Sequence, residues 1–370
     1  MSILRRTGMK MLKSRRKDNT YRFLIEKVRE VMRTTHMKLK VFPLTLVVFF
    51  FFVSASFADQ YGVYVKVIEN AKGTFDEVSD KVESALSKAR WKVLASYDTG
   101  VPEKCEFRSR VIVFSSSEYE KTVLSYGVKA AFALPLRVGV YEDSAGIHVV
   151  LLNPVSINRT ILNGTPAEEK KVTEFSLKTL NSITSIITNS VPGDAVTIQL
   201  GEIRSKGKIG GKYGGDFADK IKDAYTSRNA SDLNFRKIIE DVHYGIINNR
   251  KGWRLIYTLN FPSHGVVMYG ITKERMEAKT FSIVRDMQSE KQHNNFPLLF
   301  YNTAFPMEVI VYRDEGTVKV VVLDEMYRMK LYFHEIEKWK LFFKYYTIPG
   351  QIQEEIEKIA TDGIVRRTEQ

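Results

Sequence analysis

Apolar and polar positions alternate twice along this chain in nearly the same words. LPLRVGVYEDSAGIHVVLLN begins at Leu134, and FPMEVIVYRDEGTVKVVVLD begins at Phe305. At a constant offset of 171, Pro135, Val138, Val140, Tyr141, Asp143, Val149, Val150 and Leu152 meet Pro306, Val309, Val311, Tyr312, Asp314, Val320, Val321 and Leu323. The period of two predicts a strand on each side of a reversal at Ser144-Ala145-Gly146 or at Asp314-Glu315-Gly316, where glycine supplies the positive φ of a tight turn. Each segment therefore reads as a β-hairpin. Its leading proline has no amide hydrogen to lose at a strand start.

The doubling extends to both sides of the hairpins. Phe75, Val78, Val82, Leu86 and Ala89 recur at helical spacing before a strand opened by Trp91, and Phe235, Ile238, Val242 and Ile246 do so before one opened by Trp253. Short apolar strands follow at 111–114 and 266–269, then helical stretches near 118–126 and 273–287. Thr165-Pro166-Ala167-Glu168 is a capping box with proline at the first helical position. It opens a helix with the stripe Val172, Phe175, Ile183 and Ile187, which Pro192-Gly193 stops. The second unit ends in the stripe Tyr332, Ile336, Trp339 and Phe343 and, after a break at Pro349-Gly350, in Ile352, Ile356 and Ile359. With 63–68 and 196–200 as opening strands, each unit reads β-α-β-β-(α)-β-β-α. The predicted class is α+β: two tandem domains, each an antiparallel sheet covered by helices, forming a pseudo-dimer.

Composition refines this picture in three places. A chain of 370 residues can bury two cores of ordinary size. Of the net charge of +13, residues 1–58 carry +10, so the basicity belongs to the head and a nucleic-acid-binding body is not expected. Cys105 is the single cysteine, so no intrachain disulfide forms.

The head has the grammar of export. Met37-Lys38-Leu39-Lys40 is a basic start, VFPLTLVVFFFFV an apolar run, and Ser54-Ala55-Ser56-Phe57-Ala58 a small-residue site before Asp59. Residues 37–58 read as a signal peptide; the alternative is an uncleaved anchor, since 41–58 is uncharged and at the lower edge of what spans a bilayer. Either reading makes the body extracytoplasmic, periplasmic or secreted. The expected division is a basic leader over 1–36, from an upstream start codon or as a cytoplasmic extension, then 37–58, a first domain over 59–192, a second over 193–362 and a tail over 363–370.

The Phe-led amphipathic helix, the strand after it and L-P-x-x-V-x-V-Y-E at the hairpin, here LPLRVGVYED, resemble the family of domain of unknown function 302. The resemblance covers about 61–190 well and 195–362 more weakly. It implies a fold like the TATA-binding-protein and helix-grip group, with a helix lying across a curved antiparallel sheet. Single-domain members are homodimers, which implies that two copies in one chain form a covalent pseudo-dimer. Members often carry Cys-Asn-Pro after the third strand and a Cys after Leu-Pro. Ser115-Ser116-Ser117 and Leu136 stand there in the first copy, and Gly270-Ile271-Thr272 and Met307 in the second, so any thiol chemistry of those relatives is not expected here.

No motif announces a reaction. His36, His148, His243, His264, His293 and His334 lack metal-ligand spacing, so neither a metal nor a cofactor is expected. Ser115-Ser116-Ser117 has no G-x-S-x-G elbow and reads as a helix cap. The glycine-rich 207–215 misses the phosphate-loop spacing and reads as a loop, with a weak anion contact as the alternative. Arg137, Glu142 and Asp143 against Glu308, Arg313 and Asp314 suggest a solvated sheet face or, with signs swapped between copies, cross-copy ion pairs. The aromatic stretch 327–346 reads as core, with an apolar cavity or a membrane contact as alternatives. Asn158, Asn163 and Asn229 head glycosylation sequons.

These readings favour a non-enzymatic binding or accessory protein, taking an apolar ligand or a protein partner through Ser115, Arg137, Tyr141, Tyr312, Trp339 and Phe343, with no catalytic residue assigned. The alternatives are an enzyme with its site near Ser115–Ser117 and Arg137–Asp143, and a membrane-anchored structural pseudo-dimer.

Overall fold

Both hairpins form as read, and each sits in the middle of its own antiparallel sheet. The computed structural model describes residues 60–162, 164–205, 207–210, 214–287, 298–333 and 345–369. The export segment 37–58 and the stripe residues Ile336, Trp339 and Phe343 lie outside the described residues. Ala58–Gln370 is one compact unit.

The first sheet is built from β1 (Tyr61–Glu69), β2 (Lys92–Asp98), β3 (Ser109–Ser115), β4 (Leu136–Asp143), β5 (Gly146–Leu152) and β6 (Asp194–Arg204), in the order β2-β3-β4-β5-β1-β6. The second is built from β7 (Ile221–Ser227), β8 (Arg254–Phe261), β9 (Val266–Thr272), β10 (Met307–Asp314) and β11 (Thr317–Leu323), in the order β8-β9-β10-β11-β7. Leaving β6 aside, the two orders are the same. In the second hairpin Asp314 pairs with Thr317 across Glu315 and Gly316, both at positive φ (45° and 80°), the twist a two-residue turn needs.

Helices follow the same plan. In the first half these are α1 (Phe75–Lys88), α2 (Ser117–Leu124), α3 (Pro154–Ile161) and α4 (Pro166–Thr188). In the second they are α5 (Asp232–Ile247), α6 (Glu274–Met287), α7 (Glu325–Phe333) and α8 (Thr347–Thr368). The capping box of α4 is present, with the Thr165 hydroxyl accepting from the Glu168 amide and the Glu168 carboxylate accepting from the Thr165 amide. Phe75, Val78, Val82 and Leu86 of α1, and Phe235, Ile238, Val242 and Ile246 of α5, are buried. Ala89 is instead the exposed C-cap of α1, and Ala85 takes the buried place. In both halves a guanidinium lies over the leading Phe, Arg108 over Phe75 at 4.4 Å and Arg313 over Phe235 at 4.5 Å.

Two expectations are corrected. Residues 196–200 do form a strand, but as part of β6 it pairs with β1 of the first sheet, with Tyr64 opposite Leu200. The second sheet opens instead with β7, beside β11. Alternation marks a strand and is silent about its neighbour, so the first sheet runs past the expected boundary to Arg204. Pro349-Gly350 does not break a helix either: both residues lie in the opening turn of α8, where proline's missing amide hydrogen costs nothing.

The helices α5 and α8 cross with glycine against backbone on both sides. A Cβ on Gly245 would sit 2.2 Å from the Ile359 carbonyl oxygen, and one on Gly363 would sit 2.2 Å from that of Asp241. Gly245→Ala and Gly363→Ala should each lower stability by on the order of 1–3 kcal/mol through overpacking. Denaturant unfolding midpoints check this, and an unchanged midpoint in both variants would contradict the close crossing.

Candidate functional site

Alternation along β4 places Val138 and Val140 on the face that α1 covers, and Arg137, Gly139 and Tyr141 on the opposite one. On β10, Val309 and Val311 face α5, leaving Glu308, Ile310 and Tyr312 on the other side. These second faces meet across the two halves. The turn of 3-10 helix at Leu299–Ala304 packs on β3, β4 and β5, and its counterpart at Val128–Ala133 packs on β9 and β10.

At the centre of this seam Arg137 and Glu308 form an ion pair, their side chains 2% and 3% exposed. The two occupy corresponding positions, 171 residues apart. The solvated sheet face considered for these charges is therefore corrected at this pair: the cross-copy pairing is the one that forms. Arg137 Nη1 also donates to the Thr303 carbonyl at 3.3 Å. Beside it the Asn302 amide donates to Ser109 Oγ at 3.0 Å and to the carbonyls of Arg110 and Val140. A Cβ at Gly139 would lie 2.0 Å from Asn302 Oδ1, so only glycine admits this contact.

A second polar tie lies nearby. Glu277 of α6 is fully buried and accepts from the Gly100 amide of the first half at 2.7 Å, from Tyr97 at 3.4 Å and from the Thr272 hydroxyl. Burial raises its carboxyl above the ordinary range, against those hydrogen bonds and the Arg254 charge. A third tie runs from β6: Arg204 Nη2 donates to the carbonyls of Leu331 at 2.7 Å and Lys330 at 3.0 Å, on α7. The Tyr64 hydroxyl reaches the Tyr332 carbonyl at 2.9 Å, with its ring edge-on to Tyr301.

The seam encloses a small cavity among its described residues. A cavity of about 10 Å³ lies beside Arg137, Tyr119, Asn158 and Tyr332, room for roughly one water. The open space lies elsewhere. A groove of about 1200 Å³ runs between the loop 101–104 of the first half, the loop 251–253, α6 and the first turns of α8. Its apolar lining includes Trp253, Met276, Ile283, Ile348 and Ile352. Six cations, Lys104, Lys251, Lys273, Arg275, Lys279 and Arg285, stand with four carboxylates, Glu103, Glu274, Asp286 and Glu355, along its walls. Glu355 is held below its ordinary range, against burial, by Lys273 at 2.8 Å and by the Trp253 indole at 3.1 Å.

The residues singled out in the sequence scatter over this geometry. Arg137 lies in the seam, in contact with the 10 Å³ cavity. Tyr141 is buried against His148, whose Nε2 is 2.9 Å from Asp143 Oδ1. Tyr312 is buried on β10. Ser115 is buried, and its Oγ has no hydrogen-bond partner among the described residues. Ser116 caps α2 by accepting from the Tyr119 amide. Trp339 and Phe343 lie outside the described residues. None of the four described candidates lines the groove.

Asn302, Glu277 and the groove residues were missed by the sequence reading. Gly139, the x of V-x-V-Y, is the residue from which a close approach could have been read. Cys105 is half-buried beside the groove loop, and burial raises its thiol above the ordinary range. Asn158 is buried with its amide donating to Ser176, which removes it as a glycosylation acceptor, whereas Asn229 is exposed and Asn163 lies outside the described residues. Among the described residues no cluster of three His, Cys, Asp or Glu could hold a metal, and no helix is long and apolar enough to cross a membrane.

Comparison with known proteins places part of this chain. Residues 67–183 match the model of the family described as Domain of unknown function DUF302. A solved structure, the crystal structure of an uncharacterized conserved protein DUF302 from Bacillus stearothermophilus, aligns over 35% of this chain and 97% of its own. Its identity to this chain is 16% and its TM-score 0.27. No curated protein matches.

The buried charges generate two predictions. Arg137→Leu should cost about 3–5 kcal/mol by leaving Glu308 buried and unpaired, while adding Glu308→Leu should restore most of the loss. A double-mutant cycle in denaturant checks the coupling, and additive losses would refute it. The second concerns Glu325, buried at the start of α7, whose carboxyl burial pushes up to about 7, with Asp324 adding and Arg328 opposing. The folded protein then keeps this proton to a higher pH than the unfolded chain. Stability from this group is therefore full below its ordinary 4.5 and lost as pH rises to about 7. Glu325→Gln should become more stable than the parent across that window, by on the order of 3 kcal/mol above it. A difference that stays flat from acid to neutral pH would contradict this.

Proposed function

We propose, for a chain whose residues 67–183 match the DUF302 family model, that the exported body is a tandem pair of related modules acting as a non-enzymatic binding protein. The same strand order in both sheets supports the tandem reading, together with the hairpins at the offset of 171. Residues 37–58 direct export, leaving the body outside the cytoplasm, released or held by that segment.

One observation carries the binding reading: an open volume of about 1200 Å³ lies in a groove whose lining includes Trp253, Met276, Ile283, Ile348 and Ile352. Glu277 and Glu325, whose carboxyls are raised, are buried and not among the groove residues. A general acid or base must reach its substrate, and these two face protein on all sides. The groove has room for a small molecule, whose sites ordinarily measure roughly 300–1000 Å³, and its walls combine apolar side chains with charged ones. The ligand-binding role expected of Arg137, Tyr141 and Tyr312 passes to the residues around Trp253, Met276 and Ile283.

Native mass spectrometry of the protein purified from its own host tests this reading. The expected result is a mature chain beginning after Ala58 that carries an added small-molecule mass, together with enhanced Nile red fluorescence that Ile283→Trp abolishes. A bare mass with no Nile red response would refute the binding reading. A mass that still includes residues 1–58 would refute cleavage while leaving the anchored form.

A further inference from the structure

We propose that the groove takes a long-chain carboxylate, an acyl tail on its apolar floor and one anionic head at its basic rim; this rests on the groove being a binding site. The apolar surface open to a tail comes from half-buried Ile348 and Ile352, backed by Trp253, Met276 and Ile283, each less than a tenth exposed. An unbranched acyl chain fits such a lining because its contacts are non-directional and scale with area.

The rim sets the sign of the head. Lys273 is spent on Glu355, at 2.8 Å. Asp286 accepts from the Tyr345 hydroxyl at 2.6 Å. Lys104, Arg275 and Lys279 are exposed and form no ion pair among the described residues, and exposed Lys251 adds to the charge that holds the Glu355 carboxyl down; the other acids at the rim are Glu103, Glu274 and Asp286, which keeps its charge when a neutral hydroxyl donates to it. An anion at this rim gains from cations already in place, and a cationic or zwitterionic head would add like charge to it.

The head's charge follows from how those cations are distributed. They come from three separate segments, the loop 101–104, the loop 251–253 and α6, rather than converging as a fork. Scattered lysines act as point charges and suit a monoanion, while a phosphate head is favoured by several convergent donors. The surplus of cations over carboxylates around the groove is two, so a monoanion is accommodated without overcompensation.

Three probes of one tail length test the assignment by calorimetry on the intact chain: dodecanoate, dodecyl phosphate and dodecanol, below micellar concentrations. Dodecanoate is expected to bind roughly tenfold tighter than dodecanol. K251E/K279E, at two exposed positions, should weaken dodecanoate by roughly tenfold and leave dodecanol unchanged, with an unaltered unfolding midpoint. Dodecanol binding as tightly as dodecanoate, or a double variant that binds dodecanoate as well as the parent, overturns the anion assignment while the binding reading stands. Dodecyl phosphate binding roughly tenfold tighter than dodecanoate replaces carboxylate by phosphate. If none of the three probes binds and Nile red also gives no response, the binding reading itself falls.

Discussion

The pairing of Arg137 with Glu308 constrains everything else in the body, because neither charge tolerates burial alone. Removing one ion from water costs several kcal/mol even after relaxation, and only a close counter-ion offsets that. Each sheet therefore presents its inner face with a charge that the other half must meet. The two residues hold corresponding positions, so they meet where a two-fold axis would run. In a symmetric dimer of identical chains, a residue on the axis meets its own copy. Arginine would face arginine, or glutamate would face glutamate. Opposite charges at that point require two halves that differ, which a single chain supplies.

The same constraint explains why the seam is closed. Around the central pair, the Asn302 amide lies on Gly139, Arg204 caps carbonyls of α7, and Glu277 accepts from the Gly100 amide. The bonds donated by the Asn302 amide nitrogen, by Arg204 and by the Gly100 amide each satisfy a group that would otherwise be buried without a partner, at a cost of about 1–3 kcal/mol, whereas Asn302 Oδ1, which lies on Gly139, has no hydrogen-bond partner among the described residues. The space between the sheets is consumed by these ties and by aromatic rings such as Tyr64 and Tyr301. A ligand of any size must then approach from the rim of the seam. The groove lies there, where the first-half loop at 101–104 meets α6.

How much of this could be read in advance depends on whether a feature is local. The hairpins, the buried stripes of α1 and α5 and the Thr165 capping box follow from periods and neighbours a few residues apart, and all were legible. The partner of a strand is not local. Val196 to Leu200 carry alternation that suits either sheet, and β6 goes to β1 through a register that no short stretch encodes. Charge is similar. The swapped signs at Arg137 and Glu308 were visible, but whether they face water or each other depends on how two faces close over 171 residues of sequence. Asn302 stood in an unremarked aromatic stretch, and its role depends on a glycine in the other half.

The difference between the halves has a physical direction. Gly139 of the first half corresponds to Ile310 of the second, and Ala131 of the first to Asn302 of the second. The first half thus opens a space at its fourth strand that the second half fills with a polar group, and apolar Ala131 and Ile310 hold the two corresponding places. Glu277 likewise comes from the second half and receives the amide of Gly100, where a Cβ would lie 2.1 Å from the Glu274 carbonyl oxygen. That contact sets the loop 101–104 against α6 as one wall of the groove. The wall exists because the halves are unlike, so the groove is a product of the asymmetry that the central ion pair requires.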